Sequence, residues 1–203
     1  QSSSDATSNY KASLVHGNAF IDITGGMGVD SFALSKRFKK GVYCELSSAL
    51  CNVSKHNFKT LHATIETHNA NGFDILRETT QQFDLIFVDP ARRIEGKRMV
   101  SLKDCEPDIT KELELVFEKS NQLLIKTSPL LDISKVLKEI PFVNEVHVVS
   151  VNNECKELLF LSKKGNNAKP QTIAVNIATD KVDILSSFVS IPSISYSLPK
   201  TYL

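Results

Sequence analysis

A run of glycines after the first apolar stretch of the chain is its strongest local indication of a ligand site. From Asp22 to Gly28 the sequence reads DITGGMG. Glycines at such a turn allow the backbone to approach a ligand, and the N-terminus of a following helix leaves N–H groups free for its polar atoms. An isolated GxG is equally typical of a plain strand-to-helix turn. We expect a cofactor loop whose contacting residues are Asp22, Thr24, Gly25, Gly26 and Gly28.

Two acidic residues near this loop indicate the kind of cofactor. Glu45 ends the second apolar stretch, where a carboxylate can accept hydrogen bonds from both ribose hydroxyls of an adenosine-containing ligand, although such a strand end is often only solvated. Asp22 could pair with the amino group of an amino-acid moiety, which a dinucleotide lacks. The dinucleotide pattern G-x-G-x-x-G also fails, because Ser31 stands at the third glycine. The residues thus favour S-adenosylmethionine (SAM) over NAD.

A second segment whose residue types could take part in catalysis follows the apolar run FDLIFV. It reads DPARR, from Asp89 to Arg93. Ligands of open α/β sheets bind beyond the carboxyl ends of the strands, so this segment should face the same crevice as Gly26. Pro90 restricts the turn and therefore the position of Asp89. We expect a catalytic loop in which Asp89 orients or deprotonates an acceptor and Arg93 assists, unless Asp89 merely caps a loop.

Four basic residues lie in or just after this segment, beside the expected cleft. A basic surface loop is more often only solvated, but this position favours contacts with RNA through phosphates or through a guanidinium stacked on a base. The predicted RNA-binding residues are Arg92, Arg93, Lys97 and Arg98.

The elements that must position these residues alternate between apolar runs and helical patterns, which is typical of βα units on a largely parallel sheet. The predicted strands are Ala19–Ile23, Gly41–Glu45, Thr64–Asn69, Phe83–Val88 and Leu123–Lys126. Three predicted helices have defined bounds, Val29–Phe38, Asp74–Glu78 and Asp132–Glu139. Two more are indicated by their apolar faces. One face has Leu46, Leu50, Val53 and Leu61, and the other has Ile109, Leu113, Val116 and Phe117.

After Pro141 the pattern changes to strands with short connections. Val143–Val151 and Cys155–Ser162 are close enough to form a hairpin. Beyond a polar linker, Thr172–Ile177 and Lys181–Leu185 predict another hairpin, which we assign to an incomplete second module.

The ordered set of motifs resembles that of class I SAM-dependent methyltransferases over roughly residues 19–164. The motifs are Asp22-x-Thr24-x-Gly26-x-Gly28, Glu45, Asn71 and Asp89-Pro90. More narrowly, the opening QSSSDAT, the DPARR segment with the GKR at residues 96–98, and the ECKEL at residues 154–158 are similar to bacterial methyltransferases with a THUMP-like C-terminal domain.

This resemblance implies an α/β fold: a Rossmann-like sandwich whose seven-stranded, mostly parallel sheet closes with an antiparallel hairpin. It implies that Asp22 and the glycines hold the methionine part of SAM, Glu45 the ribose, and Asn71-Gly72 the adenine edge. Leu46, Asp89 and Pro90 complete the expected cofactor contacts. The family commonly has Asp at the position of Asn71. The second proline and the aromatic of many nucleic-acid amino-methyltransferases are replaced by Ala91 and Arg92.

The chain as a whole predicts three parts: an N-terminal lid or linker at residues 1–18, a methyltransferase domain at 19–164, and the start of a C-terminal, THUMP-like module at 165–203. The lid rests mainly on the resemblance, although residues 5–11 can start a short helix. With neither an initiating Met nor a polar C-terminal tail, both ends look like cuts through a longer protein.

Composition narrows the setting but not the substrate. The net charge is +1, so RNA would have to contact a local patch. Four scattered cysteines without a CxxC pair, in stretches suited to buried thiols, and the lack of a signal peptide or a long apolar run favour a cytoplasmic protein. The histidines show no metal-ligand spacing. RNA is the expected substrate, and the alternatives are a small-molecule or protein methyltransferase or a degenerate SAM-fold binding module.

Overall fold

Strands and helices alternate along the chain, as the sequence predicts. The computed structural model describes residues 3–92, 101–178 and 181–188. The strands are β1 Gly17–Asp22, β2 Phe38–Cys44, β3 Ile65–His68, β4 Leu85–Val88, β5 Ala91–Arg92, β6 Cys105–Glu106, β7 Gln122–Thr127, β8 Val143–Val151, β9 Glu154–Lys163, β10 Gln171–Ala178 and β11 Lys181–Phe188. The α-helices are α1 Asp5–Ser13, α2 Val29–Ser35, α3 Ser48–Thr60, α4 Gly72–Glu78, α5 Leu113–Lys119 and α6 Ile133–Glu139.

The main sheet has the order β11-β10-β8-β9-β7-β4-β1-β2-β3. Strands β7, β4, β1, β2 and β3 run parallel to one another, and β9 lies antiparallel between β7 and β8. The predicted α/β class, with a mostly parallel sheet and a closing antiparallel hairpin, is thus confirmed.

The predicted count of seven strands is wrong, because β10 and β11 extend the same sheet to nine. Strand β10 pairs in parallel with β8 from Gln171↔Glu145 to Ile177↔Val151. It also buries Val175 and Ile177 in the core formed by the central strands. These strands are therefore continuous with the sheet, and where a C-terminal module begins stays a prediction.

The central strands are buried on both faces, which makes the fold a sandwich. On β4, Leu85 and Phe87 point to the core shared with α1 and α2, whereas Ile86 and Val88 point to the core under α4, α5 and α6. This alternation follows from the two-residue period of a strand. Because both faces are covered, ligands can approach only the strand ends or edges.

Helix α3 buries a different face from the predicted one. Leu46 lies before the helix and is 72% exposed, and Val53 and Leu61 are also exposed. The buried residues are Cys51, Ser54 and Phe58. Phe58 packs edge-to-face on Tyr43 of β2, with ring centroids 5.3 Å apart, so an aromatic contact decides the face rather than the leucine spacing.

Smaller differences concern element ends and one cysteine. Helix α2 ends at Ser35 rather than Phe38, and Phe38 starts β2, where its ring lies 5.3 Å from that of Phe20. Cys155 is exposed, although the other three cysteines are buried as expected. The two-stranded ribbon of β5 and β6 was not predicted. No helix in the described part of the chain is long and apolar enough to span a membrane.

Candidate cofactor and acceptor site

The carboxyl ends of β1, β2 and β4 surround a cavity of about 490 Å³. Most of the residues that the sequence predicts to contact a cofactor line this cavity. They are Asp22, Thr24, Gly25, Gly26, Gly28, Glu45, Leu46, Asn71, Gly72 and Asp89. Pro90 is the exception, since it is buried beside Asp89 and is not part of the lining.

The glycine turn is shaped by two residues with positive φ, Gly26 at 57° and Gly28 at 74°. A side chain at Gly28 would also collide, because its Cβ would lie 2.7 Å from the Phe58 ring. Gly28 precedes the first residue of α2. The turn therefore brings backbone and a helix N-terminus to the cavity wall, as a cofactor loop requires.

Asp22 is buried at the base of this turn, and its carboxylate is held by neighbouring groups. One oxygen accepts from the backbone N–H of Thr24 at 3.0 Å, and the other accepts from the hydroxyl of Ser31. Burial raises the pKa of Asp22 to about 7, with smaller contributions from the carboxylates of Asp30 and Asp89, despite these hydrogen bonds. Ser31, which stands where the dinucleotide pattern has its third glycine, thus holds the Asp22 carboxylate.

The raised pKa of Asp22 predicts that this residue makes the folded protein less stable at higher pH. The folded state holds the proton more tightly than the unfolded chain, whose carboxyl titrates near 3.8. The contribution is therefore fully present below that value and is lost as the pH rises through about 7. Urea unfolding should show that Asp22→Asn gains stability relative to wild type between pH 5 and pH 8. An unchanged difference at the two pH values would contradict the assignment.

Glu45 follows β2 and holds the turn in place from the opposite side. Its two carboxylate oxygens accept from the backbone N–H groups of Gly26 at 2.8 Å and Ser47 at 2.7 Å. A carboxylate offers about four acceptor sites, so both oxygens can still accept hydroxyl donors from a ligand. The position fits the predicted ribose contact.

Asn71 and Gly72 form the start of α4 at the neighbouring wall. The Asn71 side-chain oxygen accepts from the N–H of Phe73 at 2.9 Å, which leaves its amide group for a ligand. A Cβ at Gly72 would lie 2.6 Å from the Cα of Ile23, so only glycine fits. Asn69, which the sequence did not single out, donates to the carbonyls of Glu45 and Leu46 and fixes that wall.

Asp89 leaves the end of β4 and is anchored at two points. Its backbone N–H donates to the Thr24 hydroxyl at 2.7 Å, and its carboxylate forms a short ion pair with Lys126. Next to it, Ala91 pairs with Glu106 in the ribbon of β5 and β6. Ala91, Glu106 and Pro107 also line the cavity. These residues form a further wall of the cavity, which joins the glycine turn at Thr24.

A charge network that reaches from the cavity wall into the interior was missed by the sequence analysis. Lys11 of α1 is 1% exposed and binds Glu157 of β9 at 2.7 Å and Asp30 of α2 at 3.1 Å. Asp30 also lies 3.4 Å from Lys126. These residues are far apart in the chain, and each resembles an ordinary surface charge. Only Lys126, at the end of a predicted strand, offered a local signal.

The predicted basic cluster falls largely on residues about which the structure is silent. Arg93, Lys97 and Arg98 lie outside the described residues, and for Arg92 the backbone alone is described. Within the described ranges, no group of three or more His, Cys, Asp or Glu side chains could hold a metal ion.

Comparison with protein families gives a match over most of this fold. Residues 5–138 match the model of the family described as conserved hypothetical protein 95. An uncharacterized S-adenosylmethionine-dependent methyltransferase of Mycobacterium tuberculosis is 23% identical over 157 residues, 77% of this chain and 42% of the relative. The chain thus spans about two fifths of that relative's length. The ribosomal RNA small subunit methyltransferase D of Haemophilus influenzae is 28% identical over 121 residues, 56% of this chain and 62% of the relative.

Solved structures show the same architecture. A protein of Porphyromonas gingivalis W83, provisionally named a methyltransferase, is 30% identical with a TM-score of 0.83, covering 97% of this chain and 52% of that one. The M. capricolum TrmK structure, in complex with S-adenosyl-homocysteine, gives a TM-score of 0.58 at 13% identity, covering 79% of this chain and 68% of that one. At that identity the likeness concerns the fold alone.

Proposed function

The chain belongs to the conserved hypothetical protein 95 family, and from this premise we propose that it is a SAM-dependent methyltransferase that acts on RNA. One observation carries the proposal. Two carboxylates, Asp22 and Glu45, and a glycine turn meet at one cavity at the carboxyl ends of the central strands. This is where open α/β sheets bind ligands. SAM has an amino group that can pair with Asp22 and ribose hydroxyls that can donate to Glu45.

The chemistry of the residues fits SAM part by part. Asp22 and the glycine turn bind the methionine portion, Glu45 the ribose, and Asn71-Gly72 the adenine edge. SAM supplies a methyl group on a positively charged sulfur, from which it passes in line to a nucleophilic atom of the acceptor. Asp89 faces the acceptor, and the enclosing walls position both partners and exclude water.

RNA is the proposed substrate class for two reasons. The methyltransferase of H. influenzae named above carries ribosomal RNA in its name, and the DPARR segment, which begins with Asp89 at the cavity wall, contains two arginines in its sequence. Transfer of labelled methyl from SAM to RNA from cells that lack the gene tests the proposal. Label in a small-molecule extract or in protein, with none in RNA, would replace RNA by another acceptor. Absence of SAM binding would leave only a degenerate binding module.

Three further parts of the proposal concern the setting of this domain. The N-terminal segment before β1 acts as a lid, because Ser3 lines the cavity and donates to Asp30 at 2.7 Å. A THUMP-like C-terminal module selects the RNA, which fits the greater length of the relatives. The protein works in the cytoplasm, where SAM and RNA occur together.

Loss of the Glu45 side chain should weaken SAM binding. Glu45→Ala removes acceptors for the ribose and frees the N–H of Gly26, so we expect a loss of about 1–3 kcal/mol by calorimetry. Glu45→Gln, which keeps one oxygen, should fall between. Glu66→Ala is the matched control, since Glu66 is 70% exposed on the next strand and pairs with His68. Tight NAD binding by the wild type without SAM affinity would refute the cofactor assignment.

Arg93→Ala should weaken RNA binding rather than SAM binding. If the contact is to phosphate, the difference from wild type should shrink at high salt, because phosphate contacts release counterions. Filter binding of RNA at two or more salt concentrations measures the effect. Lys59→Ala serves as a control, since Lys59 is an exposed cation of α3 that does not line the cavity. Equal affinities of wild type and Arg93→Ala at low salt would assign the loop a structural role.

A further inference from the structure

The cavity contains an unequal set of charges. Among the described residues that line it, five carry carboxylates and a single one, Lys126, carries a positive charge. The carboxylates belong to Asp22, Asp30, Glu45, Asp89 and Glu106. The Lys126 side chain is 10% exposed, and its ammonium contacts two of them, Asp89 and Asp30. A buried lysine at a ligand cavity is costly unless its charge is used.

We propose that Lys126 is a positioning residue for methyl transfer, which holds one oxygen of the Asp89 carboxylate and thereby directs the other towards the acceptor. The inference rests on the proposed function, because it takes Asp89 as the group that faces the acceptor. It adds a residue that neither the motifs nor the family comparison identifies.

The sheet fixes this pair. Strands β4 and β7 are parallel neighbours, with Val88 opposite Ile125. The next residue on each side is Asp89 and Lys126, so these two lie opposite each other at the ends of adjacent strands. Lys126 is immobilised between Asp89 and Asp30, whose Oδ2 lies 3.4 Å from Nζ. Asp89 is anchored through its N–H on Thr24 and through Oδ2 on Lys126. No described residue donates to its Oδ1, so this oxygen is the one that we assign to the methyl acceptor.

The surrounding charges explain why the anchor must be cationic. Burial raises the pKa of Asp89, and the ion pair with Lys126 is the main opposing influence. Asp30 of α2 raises that pKa further, while Lys11 of α1 lowers it. Asp22 of β1 and Glu157 of β9 add negative charge to the same network. Without Lys126, Asp89 would be a buried carboxyl among carboxylates, and its pKa would rise further.

Lys126 itself stays charged. Burial favours its neutral form, but Asp89, Asp30 and Glu157 outweigh burial and leave the pKa of Lys126 above its ordinary value. During transfer to an N–H acceptor, a bond forms between that nitrogen and the methyl carbon. The carbon–sulfur bond breaks with its electron pair on sulfur, and the proton of the nitrogen passes to Asp89. An ionised, correctly aimed Asp89 is required for this last movement.

The test compares Lys126→Met with wild type by two measurements. The first is the pH profile of the single-turnover rate of methyl transfer. Loss of an opposite charge shifts a carboxyl by about 1–3 pH units, so the acidic limb should move upward by that amount. The rate at pH 7 should fall at least tenfold, and SAM affinity should change far less. Lys126→Arg, which keeps the charge, should restore the limb and part of the rate.

The second measurement needs no substrate. Carbon-13 NMR titration of the Asp89 carboxyl, assigned with Asp89→Asn, should show the same upward shift in Lys126→Met. Lys119→Met is the matched control, since Lys119 is 9% exposed and donates to the Thr79 carbonyl at 2.9 Å, away from the cavity. It should lose stability without moving either the limb or the titration.

The outcomes separate this inference from the proposed function. A wild type without SAM binding or methyl transfer would overturn the function, while the NMR titration would still decide whether Lys126 holds Asp89. An active wild type whose Lys126→Met variant keeps its acidic limb and its Asp89 titration would overturn the inference alone. If Lys126→Met does not fold, Lys126→Gln and Lys126→Arg replace it, and equal limbs in those two variants would overturn it.

Discussion

Asp89→Asn is expected to slow methyl transfer by about 10²–10⁴-fold, the range that a positioned general base contributes. Asparagine keeps the size of the side chain and an oxygen for Lys126, but it cannot take a proton from the acceptor. SAM affinity should therefore change little. Single-turnover measurements with excess enzyme separate the chemical step from product release.

Asp84→Asn provides the control for this prediction, because Asp84 lies beside the other end of the same strand. Its carboxylate accepts from the backbone N–H groups of Asn18 at 2.6 Å and Ala19 at 2.9 Å, remote from the cavity. It should lower stability and leave the rate of transfer intact. If Asp89→Asn also keeps its rate, the DPARR loop is structural and the acceptor site lies elsewhere.

Lys11→Met is expected to lower the free energy of unfolding by about 3–5 kcal/mol, the usual cost of breaking a buried ion pair at one partner. The variant leaves Glu157 buried without its cation and removes one of the two lysines that pair with Asp30. Burial already raises the pKa of Glu157, and Lys11 is the main influence against it. Urea unfolding followed by circular dichroism measures the loss at pH 7.

A second variant distinguishes the lost ion pair from lost packing. Lys11→Met combined with Glu157→Gln removes the unpaired carboxylate of Glu157, so the double variant should recover part of the stability. Lys55→Met, at an exposed position of α3, should be nearly neutral. A Lys11→Met variant as stable as Lys55→Met would show that the buried pair contributes nothing net.

The sequence predicted those parts of the site that local rules determine. Glycines mark the turn because Gly26 and Gly28 adopt positive φ, and parallel strands deliver Asp22 and Asp89 to the same end of a sheet. The structure places these residues around one cavity, while their roles towards SAM and the acceptor remain predictions. The α/β class was predictable for the same reason, since strand and helix periods are local properties.

The parts that the sequence missed depend on distant contacts. The face that α3 buries follows from Phe58 meeting Tyr43, which helical spacing does not reveal. The two strands beyond the predicted seven depend on the edge that β8 offers to β10 and on the pairing of β10 with β11. Lys11, Asp30, Lys126 and Glu157 look like surface charges until the fold brings them together. Charge alone cannot tell a buried partner from a solvated one.

The contact between Lys11 and Glu157 also affects how the chain folds during its synthesis on the ribosome. The two residues are 146 positions apart, so at about 5–20 residues per second roughly 7–30 seconds of translation separate them. During that interval Lys11 of α1 lacks Glu157, and Ala12 and Val15 lack most of the core that later buries them. We expect α1 to dock only after β9 has been made, which leaves this helix open to chaperones and proteases until then.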